Sequence, residues 1–442
     1  MNNKSTTSSA SAGCNFKNND VNLEDSAKIT NVKACRKPEL LAPAGGMDQL
    51  QYAIHFGADA VYLATDRFGL RVRASNFSLE ELAQAVKLAH ENGVQVFVTM
   101  NAYMSNDDVN DLPEYLEALG RCNVDAVIMS DLGAIRLARQ IIPQVAVHVS
   151  TQASCMNFQA ANMYYEMGVR RIVCAREMSL AEIKQLRQNI PRDMEIEVFV
   201  HGAMCMAISG RCLISDHLNA RCANKGNCTQ PCRWKYRLSE EHRPGKYFPI
   251  EQDDTGSFIM SSMDLNMLHY LDQVAAIGVD SIKIEGRVKK AYYVASVVNA
   301  YRQVLDGANA SLFDPDLDAV SHRPYSTGFY FGEASQAPDG PEYAQTHSLA
   351  ACVTECLGAN ERGGYDIAIE LKNRFYDGEE LEILSPGVPP RKFIAGNIRR
   401  LAADGSVAQV HDRADRASSI YVIDVPYKLA ALDILRVRKA TT

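Results

Sequence analysis

Five of the chain's twelve cysteines fall within one short segment: Cys205, Cys212, Cys222, Cys228 and Cys232. Gly210, Gly226 and Pro231 permit the tight turns that bring sulfur atoms together. Four converging thiolates suit either zinc or an iron–sulfur cluster. Structural zinc usually takes two close Cys pairs, and here only Cys228 and Cys232 are so spaced; six residues separate Cys205 from Cys212. The spacing therefore leans towards iron–sulfur but leaves zinc open. Buried structural thiols are the bland alternative. A loop this rich in Arg, Lys and Asn argues against it.

The same segment is basic. From Cys205 to Tyr247 it holds eight Lys or Arg against three acidic residues. Arg233, Trp234, Lys235 and Tyr236 interleave cations with aromatic rings, a pattern that suits phosphate contact and base stacking. A solvated charged face explains the charges equally well. The net charge of the whole chain is −7, so any nucleic-acid contact must use local patches.

Positioning these groups falls to a repeated unit. Apolar runs at Glu39–Pro43, Ala60–Ala64, Gln95–Met100, Ala126–Ser130, Ala146–Ser150, Arg171–Ala175, Glu197–His201, Phe258–Ser261 and Ser281–Glu285 read as strands, each followed by a stretch with helical spacing. After Phe77, Ser78 and Glu81 form a capping-box pattern and Gly93 stops the helix. Single helices between strands imply parallel pairing. No glycine-rich dinucleotide fingerprint follows the first strand. The expected fold is α/β, a TIM-barrel-like (β/α) core, with one of the nine runs outside the barrel.

In such barrels functional groups collect at the C-terminal ends of the strands. Arg73, Arg176 and Arg287 follow or neighbour strand ends and are the expected substrate-binding groups, at least two of them at the barrel mouth. His201 and Glu285 are the expected proton-transfer or substrate-contact groups. For any single residue, helix capping or loop pairing with an acid such as Glu177 is the simpler explanation. Recurrence at one end of successive strands favours a site.

Residues 1–36 form a polar, Ser/Asn-rich segment without the apolar core of a secretory signal, expected to be a disordered tail. No run approaches the length of an apolar membrane span, so a cytoplasmic location is expected. The barrel occupies 37–307 with the cysteine loop at 205–247, and 308–347 is a connecting segment rich in Gly, Pro, Ser and Asp. From 348 to 442, short alternating runs and Asp-Gly turns predict a small all-β barrel. Its basic residues group at Arg391, Lys392, Arg399 and Arg400, then Arg436, Arg438 and Lys439. One shared face able to hold phosphates is one expectation for them; solvated charges on a domain that only covers the barrel are the other.

The run from Glu197 through His201, Gly202, Cys205, Gly210 and Cys212 to Ser215 resembles the signature of the collagenase-like peptidase family U32. Glu39–Gly45, Arg73–Phe77, Ala175–Glu177, Lys283–Arg287 and Arg323–Phe329 resemble further motifs of that family, so the likeness extends from Pro38 to the C-terminus. It is greatest with long members that carry a C-terminal β-domain and modify tRNA. The resemblance implies oxygen-independent formation of 5-hydroxyuridine at the wobble uridine of tRNA. It also implies a 4Fe–4S cluster on Cys205, Cys212, Cys228 and Cys232, with Cys222 a non-ligand, and prephenate as hydroxyl donor. Hydroxylation of ribosomal RNA by a related member and collagenase-like proteolysis are the alternatives. Neither HExxH nor a G-x-S-x-G elbow supports proteolysis.

Overall fold

The computed structural model describes residues 37–70, 76–204, 214–219, 221, 223, 226–231, 238–239, 247–248, 252–253, 256–257, 263–332, 343–401 and 407–439. The predicted tail and the predicted strand Phe258–Ser261 lie outside these residues.

Strands β1 (Glu39–Pro43), β2 (Ala60–Leu63), β3 (Gln95–Met100), β4 (Ala126–Met129), β5 (Ala146–Val149), β6 (Arg171–Val173) and β7 (Glu195–Ala203) pair in chain order, all parallel. After β8 (Asp264–Asn266) comes β9 (Ser281–Ile284), which pairs in parallel with both β7 and β1 and closes an eight-stranded barrel. The helices between strands are α1 (Met47–His55), α2 (Leu79–Glu91), α3 (Asn106–Arg121), α4 (Leu132–Ile141), α5 (Phe158–Glu166) and α6 (Leu180–Gln188). The short α7 (Ile214–Asn219) lies in the cysteine segment, α8 (Leu271–Ala276) leads into β9, and α9 (Ala291–Leu305) follows it. The capping box read at α2 is present: Glu81 N–H donates to Ser78 Oγ, and Ser78 N–H to Glu81 Oε2.

Strand alternation divides the barrel into two environments. Outward side chains pack on the helices in the main core. Inward ones form a small apolar cluster of Leu41, Ala60, Tyr62, Phe97, Ala126 and Ile128. Beside it lies a charged network. Arg171 pairs with Glu39, Glu195 and Glu197, and Lys283 donates to Glu197 at 2.9 Å.

The excursion between β7 and β9 carries the cysteine segment. On its return, β8 runs antiparallel to the end of β7, outside the barrel wall. Further on come α10 (Asp314–Asp318) and β10 (Tyr325–Ser326), the latter pairing with β8.

The C-terminal unit is an antiparallel sheet of β11 (His347–Ala359), β12 (Tyr365–Leu371), β13 (Glu380–Leu384), β14 (Arg391–Ile394), β15 (Gly396–Leu401), β16 (Val407–His411), β17 (Ile420–Val425) and β18 (Ile434–Arg438). Their order is β14-β13-β18-β11-β12-β17-β15-β16. The single run expected at Ile394–Arg399 is instead two strands joined through Ala395. They sit towards opposite ends of the sheet, so this one-residue corner curls the sheet around its own core. Leu384 and Ile434 of this unit join the barrel's outer core, and α9, packed against α1, α10 and β1, is buried from Tyr292 through Tyr301.

Arg436 does not belong to an RNA-facing surface. It is fully buried and pairs with Asp316 of α10 at 2.7 Å and Glu382 of β13 at 2.9 Å. Buried guanidinium needs such partners, and here they tie the C-terminal sheet to the barrel side.

Candidate functional site

The C-terminal mouth of the barrel opens into a cavity of roughly 630 Å3, counting its open entrance. Its polar lining gathers at strand ends: Thr99 near the end of β3 and Asn101 just after it, Ser150 to Gln152 after β5, Arg176 after β6, and Glu285 and Arg287 after β9. Tyr62, Phe199 and Lys283 reach it from within the barrel.

Two close backbone approaches shape this mouth. A Cβ on Gly45 would stand 2.0 Å from the Arg287 carbonyl oxygen, so the turn after β1 can only hold glycine there. Gly202 has φ +103 and a Cβ on it would stand 2.5 Å from the Glu285 oxygen. Both glycines let neighbouring strand ends close on the segment that carries Glu285 and Arg287.

Arg176 and Arg287 line one cavity. Arg287 is 6% exposed and its Nη1 donates to Thr99 Oγ1 at 2.8 Å. The Arg176 guanidinium sits over Phe199, with Cζ 4.1 Å from the ring centroid. Glu285 lines the same cavity. Arg73 lies outside the described residues.

His201 does not line the cavity. The β7–β9 register shifts between Lys283, opposite Phe199, and Ile284, opposite His201, so Val200 is an extra residue. A bulge of this kind reverses the alternation of the strand beyond it. His201 therefore turns outward with Ile284, among Tyr293, Tyr301 and Tyr325, and its Nδ1 lies 3.3 Å from the Tyr301 hydroxyl. Burial pushes its pKa down to about 3, so the ring is neutral. It braces the wall behind the site.

Lys283 is the lining residue that a reading of strand ends passes over, because it sits one step inside the strand. Its signal was inward alternation on β9. Among the described lining residues it makes a third cation against one carboxylate, Glu285, with its own charge paired to Glu197 behind the cavity; the two guanidinium groups favour anions. The hydroxyls are committed elsewhere. Thr99 Oγ1 donates to the Leu63 carbonyl at 3.0 Å and Thr151 Oγ1 to the Cys174 carbonyl at 3.1 Å. Ser150 Oγ accepts from Asn101 Nδ2 at 3.2 Å and from Gln152 N–H at 3.2 Å. Among the described lining residues there is no histidine or cysteine, so no hydroxyl of these is paired with a histidine base.

Of the expected cluster ligands, Cys205, Cys212 and Cys232 lie outside the described residues, as do Cys222, Arg233, Trp234 and Lys235. Cys228 is half-buried, and its Sγ accepts the Gln230 N–H at 3.3 Å. A backbone N–H donated to sulfur is compatible with a metal-bound thiolate and is also found at free thiols. Its loop is held by buried Ser215 of α7, whose Oγ accepts from Thr229 N–H at 3.1 Å.

Of the expected RNA-binding residues in the C-terminal sheet, Arg399 is already engaged. It pairs with Asp366 at 2.8 Å and Asp424 at 3.2 Å across neighbouring strands. Arg400 is half-buried on the opposite face of the same strand. The two do not form one surface. Exposed cations lie at Lys392, paired with Glu380 at 2.8 Å, at Lys439, which donates to Gln345 Oε1 at 2.9 Å, and at Arg438.

Similar proteins complete the description. The profile of peptidase family U32 matches residues 45–339. "tRNA hydroxylation protein P1" of Bacillus subtilis is 37% identical over 367 residues, covering 80% of this chain and 85% of that protein. "tRNA hydroxylation protein P" of Escherichia coli is 36% identical over 395 residues, covering 79% and 86%. A 23S rRNA 5-hydroxycytidine synthase of Escherichia coli is 37% identical over 299 residues, covering 64% of this chain and 44% of that protein. A profile match over most of the chain, joined to identity at this level across the barrel and beyond, makes the protein a member of peptidase family U32.

Proposed function

We propose that the protein hydroxylates RNA, and specifically that it forms 5-hydroxyuridine at the wobble uridine of tRNA with prephenate as hydroxyl donor. The observation that carries the reading is the meeting of Arg176, Lys283 and Arg287 in one cavity at the barrel mouth. Prephenate bears two carboxylates, and guanidinium groups take carboxylates through paired hydrogen bonds. Relatives with tRNA hydroxylation in their names, similar along most of this chain, support the nucleic-acid substrate.

Cys205, Cys212, Cys228 and Cys232 would hold a 4Fe–4S cluster. The N–H donated to Cys228 fits that role at the one ligand described. When bound, the cluster supplies Lewis-acid and electron-transfer chemistry. The chain's own residues bind and orient the donor through Arg176 and Arg287, and Glu285 holds or accepts a proton at the entrance. Exposed cations and the basic loop around Arg233, Trp234 and Lys235 would engage phosphates and bases. Among the described residues no helix is long and apolar enough to cross a membrane. Action on tRNA in the cytoplasm accords with that.

Mass spectrometry of RNA nucleosides from cells with and without this protein tests the reading. Loss of 5-hydroxyuridine and its derivatives from tRNA is expected. Unchanged tRNA with loss of a ribosomal hydroxycytidine would move the activity to ribosomal RNA. Cleavage of collagen-derived peptides by the purified protein, abolished in Cys228→Ser, would instead establish a peptidase.

A further inference from the structure

Beneath the two guanidinium groups lies an amine with an unusual setting. Lys283 is 4% exposed and lines the cavity. Its Nζ lies 4.4 Å from the centroid of Tyr62 and 5.5 Å from that of Phe199. It donates to Oε1 of Glu197, a fully buried carboxylate whose Oε2 is held by Arg171 Nη1 at 3.2 Å.

An ammonium that served only the barrel's internal charge network would not need to reach the cavity. Lys283 does both. Aromatic walls keep water from the amine, a carboxylate that can take its proton lies at hydrogen-bond distance, and two guanidinium groups can hold a carboxylate above it. Those are the requirements of a lysine that condenses with carbonyl compounds. Burial lowers its pKa against the pull of Glu197, which eases release of the proton.

We propose that Lys283 is a catalytic nucleophile that forms an imine with the ketone of an α-keto acid whose carboxylate is held by Arg176 and Arg287. The Lys283 ammonium passes one proton to Glu197. The free amine adds to the ketone carbon, and the carbonyl oxygen becomes a hydroxyl as the nitrogen gives up a second proton. The resulting carbinolamine loses that hydroxyl as water, using the proton returned by Glu197. The C–O bond is broken, a C=N bond is formed, and the nitrogen carries one positive charge before and after. No oxidant or reductant is consumed. The step goes beyond the hydroxylation reading, on which it rests only for the identity of the natural keto acid.

The test uses the full-length protein purified anaerobically, incubated with pyruvate or phenylpyruvate and then with cyanoborohydride. Peptide mass spectrometry should show a Lys283 peptide heavier by the keto acid less one oxygen. Lys283→Arg keeps the charge but cannot form the imine. It should keep the thermal melting of the parent, lose the adduct, and lose RNA hydroxylation. Absence of an adduct at Lys283, equal labelling of other lysines in Lys283→Arg, or full hydroxylation by that variant would each overturn the proposal. Neither adduct formation nor its failure depends on which RNA is modified, so the two readings fail separately.

Discussion

Arg287 Nη1 donates to Thr99 Oγ1 at 2.8 Å, a bond that joins the segment after β9 to the end of β3 at the barrel mouth. The bond fixes the plane of the guanidinium before any ligand arrives. Such preorganisation lowers the ordering cost of binding. Thr99→Val removes the anchor and keeps the charge. A hydrogen bond to a charged group contributes about 1.5–3 kcal/mol, so prephenate affinity should fall roughly 10-fold or more. Arg287→Lys, which loses the planar fork as well, should fall further. Calorimetric titration of the three proteins decides the matter; equal affinities would mean that no clamp operates.

The buried pair of Arg436 and Asp316 ties the C-terminal sheet to the barrel, and removing one partner should be costly. Arg436→Ala leaves an uncompensated buried carboxylate, and breaking such pairs typically costs about 3–5 kcal/mol. Arg436→Met combined with Asp316→Leu should recover most of that loss. Chemical denaturation of both variants is the measurement, and equal stability of the two would refute the pairing account.

The same cluster gives a pH signature. Burial pushes the Asp316 carboxyl up to about 6, despite Arg436. The His347 hydrogen bond, with help from Arg436, holds Glu382 down at about 2. A raised folded pKa means that the Asp316 contribution is present below the unfolded value of 3.8 and is lost as pH rises through about 6. The Glu382 contribution runs the other way: it is present above 4.5 and is lost as pH falls towards about 2. Asp316→Asn should therefore remove a stability decline between about pH 4 and 6 while sparing the acid-side loss. Melting curves across that range would show an unchanged slope if Asp316 does not titrate there.

Tests of RNA contact are better aimed at Lys392, Arg438 and Lys439 than at deletion of the whole sheet, because Leu384, Ile434 and Arg436 help to cover the barrel side. Reversing the three charges should weaken tRNA binding and reduce its salt dependence, by about one unit of log–log slope per lost phosphate contact. Filter binding over a salt series gives both quantities. An unchanged slope would leave these cations without a phosphate role.

For the cluster, Cys228→Ser should lower iron and acid-labile sulfide in anaerobic preparations, whereas Cys222→Ser should leave both at parent levels. Metal analysis that finds only zinc in the parent protein would rule out iron.

Local order was legible because its signals are local. Ser78 and Glu81 announce their helix by a three-residue spacing, and the barrel strands appear within a few residues of their apolar runs. Arg176, Glu285 and Arg287 could be placed at the barrel mouth because barrel strand ends point one way. The misses have longer-range causes. His201 left the cavity because one extra residue at Val200 reversed the alternation, and a bulge has no composition of its own. Arg399 and Arg436 looked available because charge is visible in a sequence and a partner is not. Asp316 lies far from Arg436 along the chain, and the pairing exists only once β18 has docked. Ala395 carries no turn signal, yet it separates two strands at opposite ends of one sheet.

Direct pairing of β7 with β9 has a consequence for how the protein is made. The wall of the barrel is sewn shut across the base of the cysteine excursion, with Ser281 opposite Glu197 and Lys283 opposite Phe199. None of those ladder bonds waits on a metal. A newly made chain can complete its barrel first, so the proposed cluster would be delivered late, as a separable step on an already folded protein.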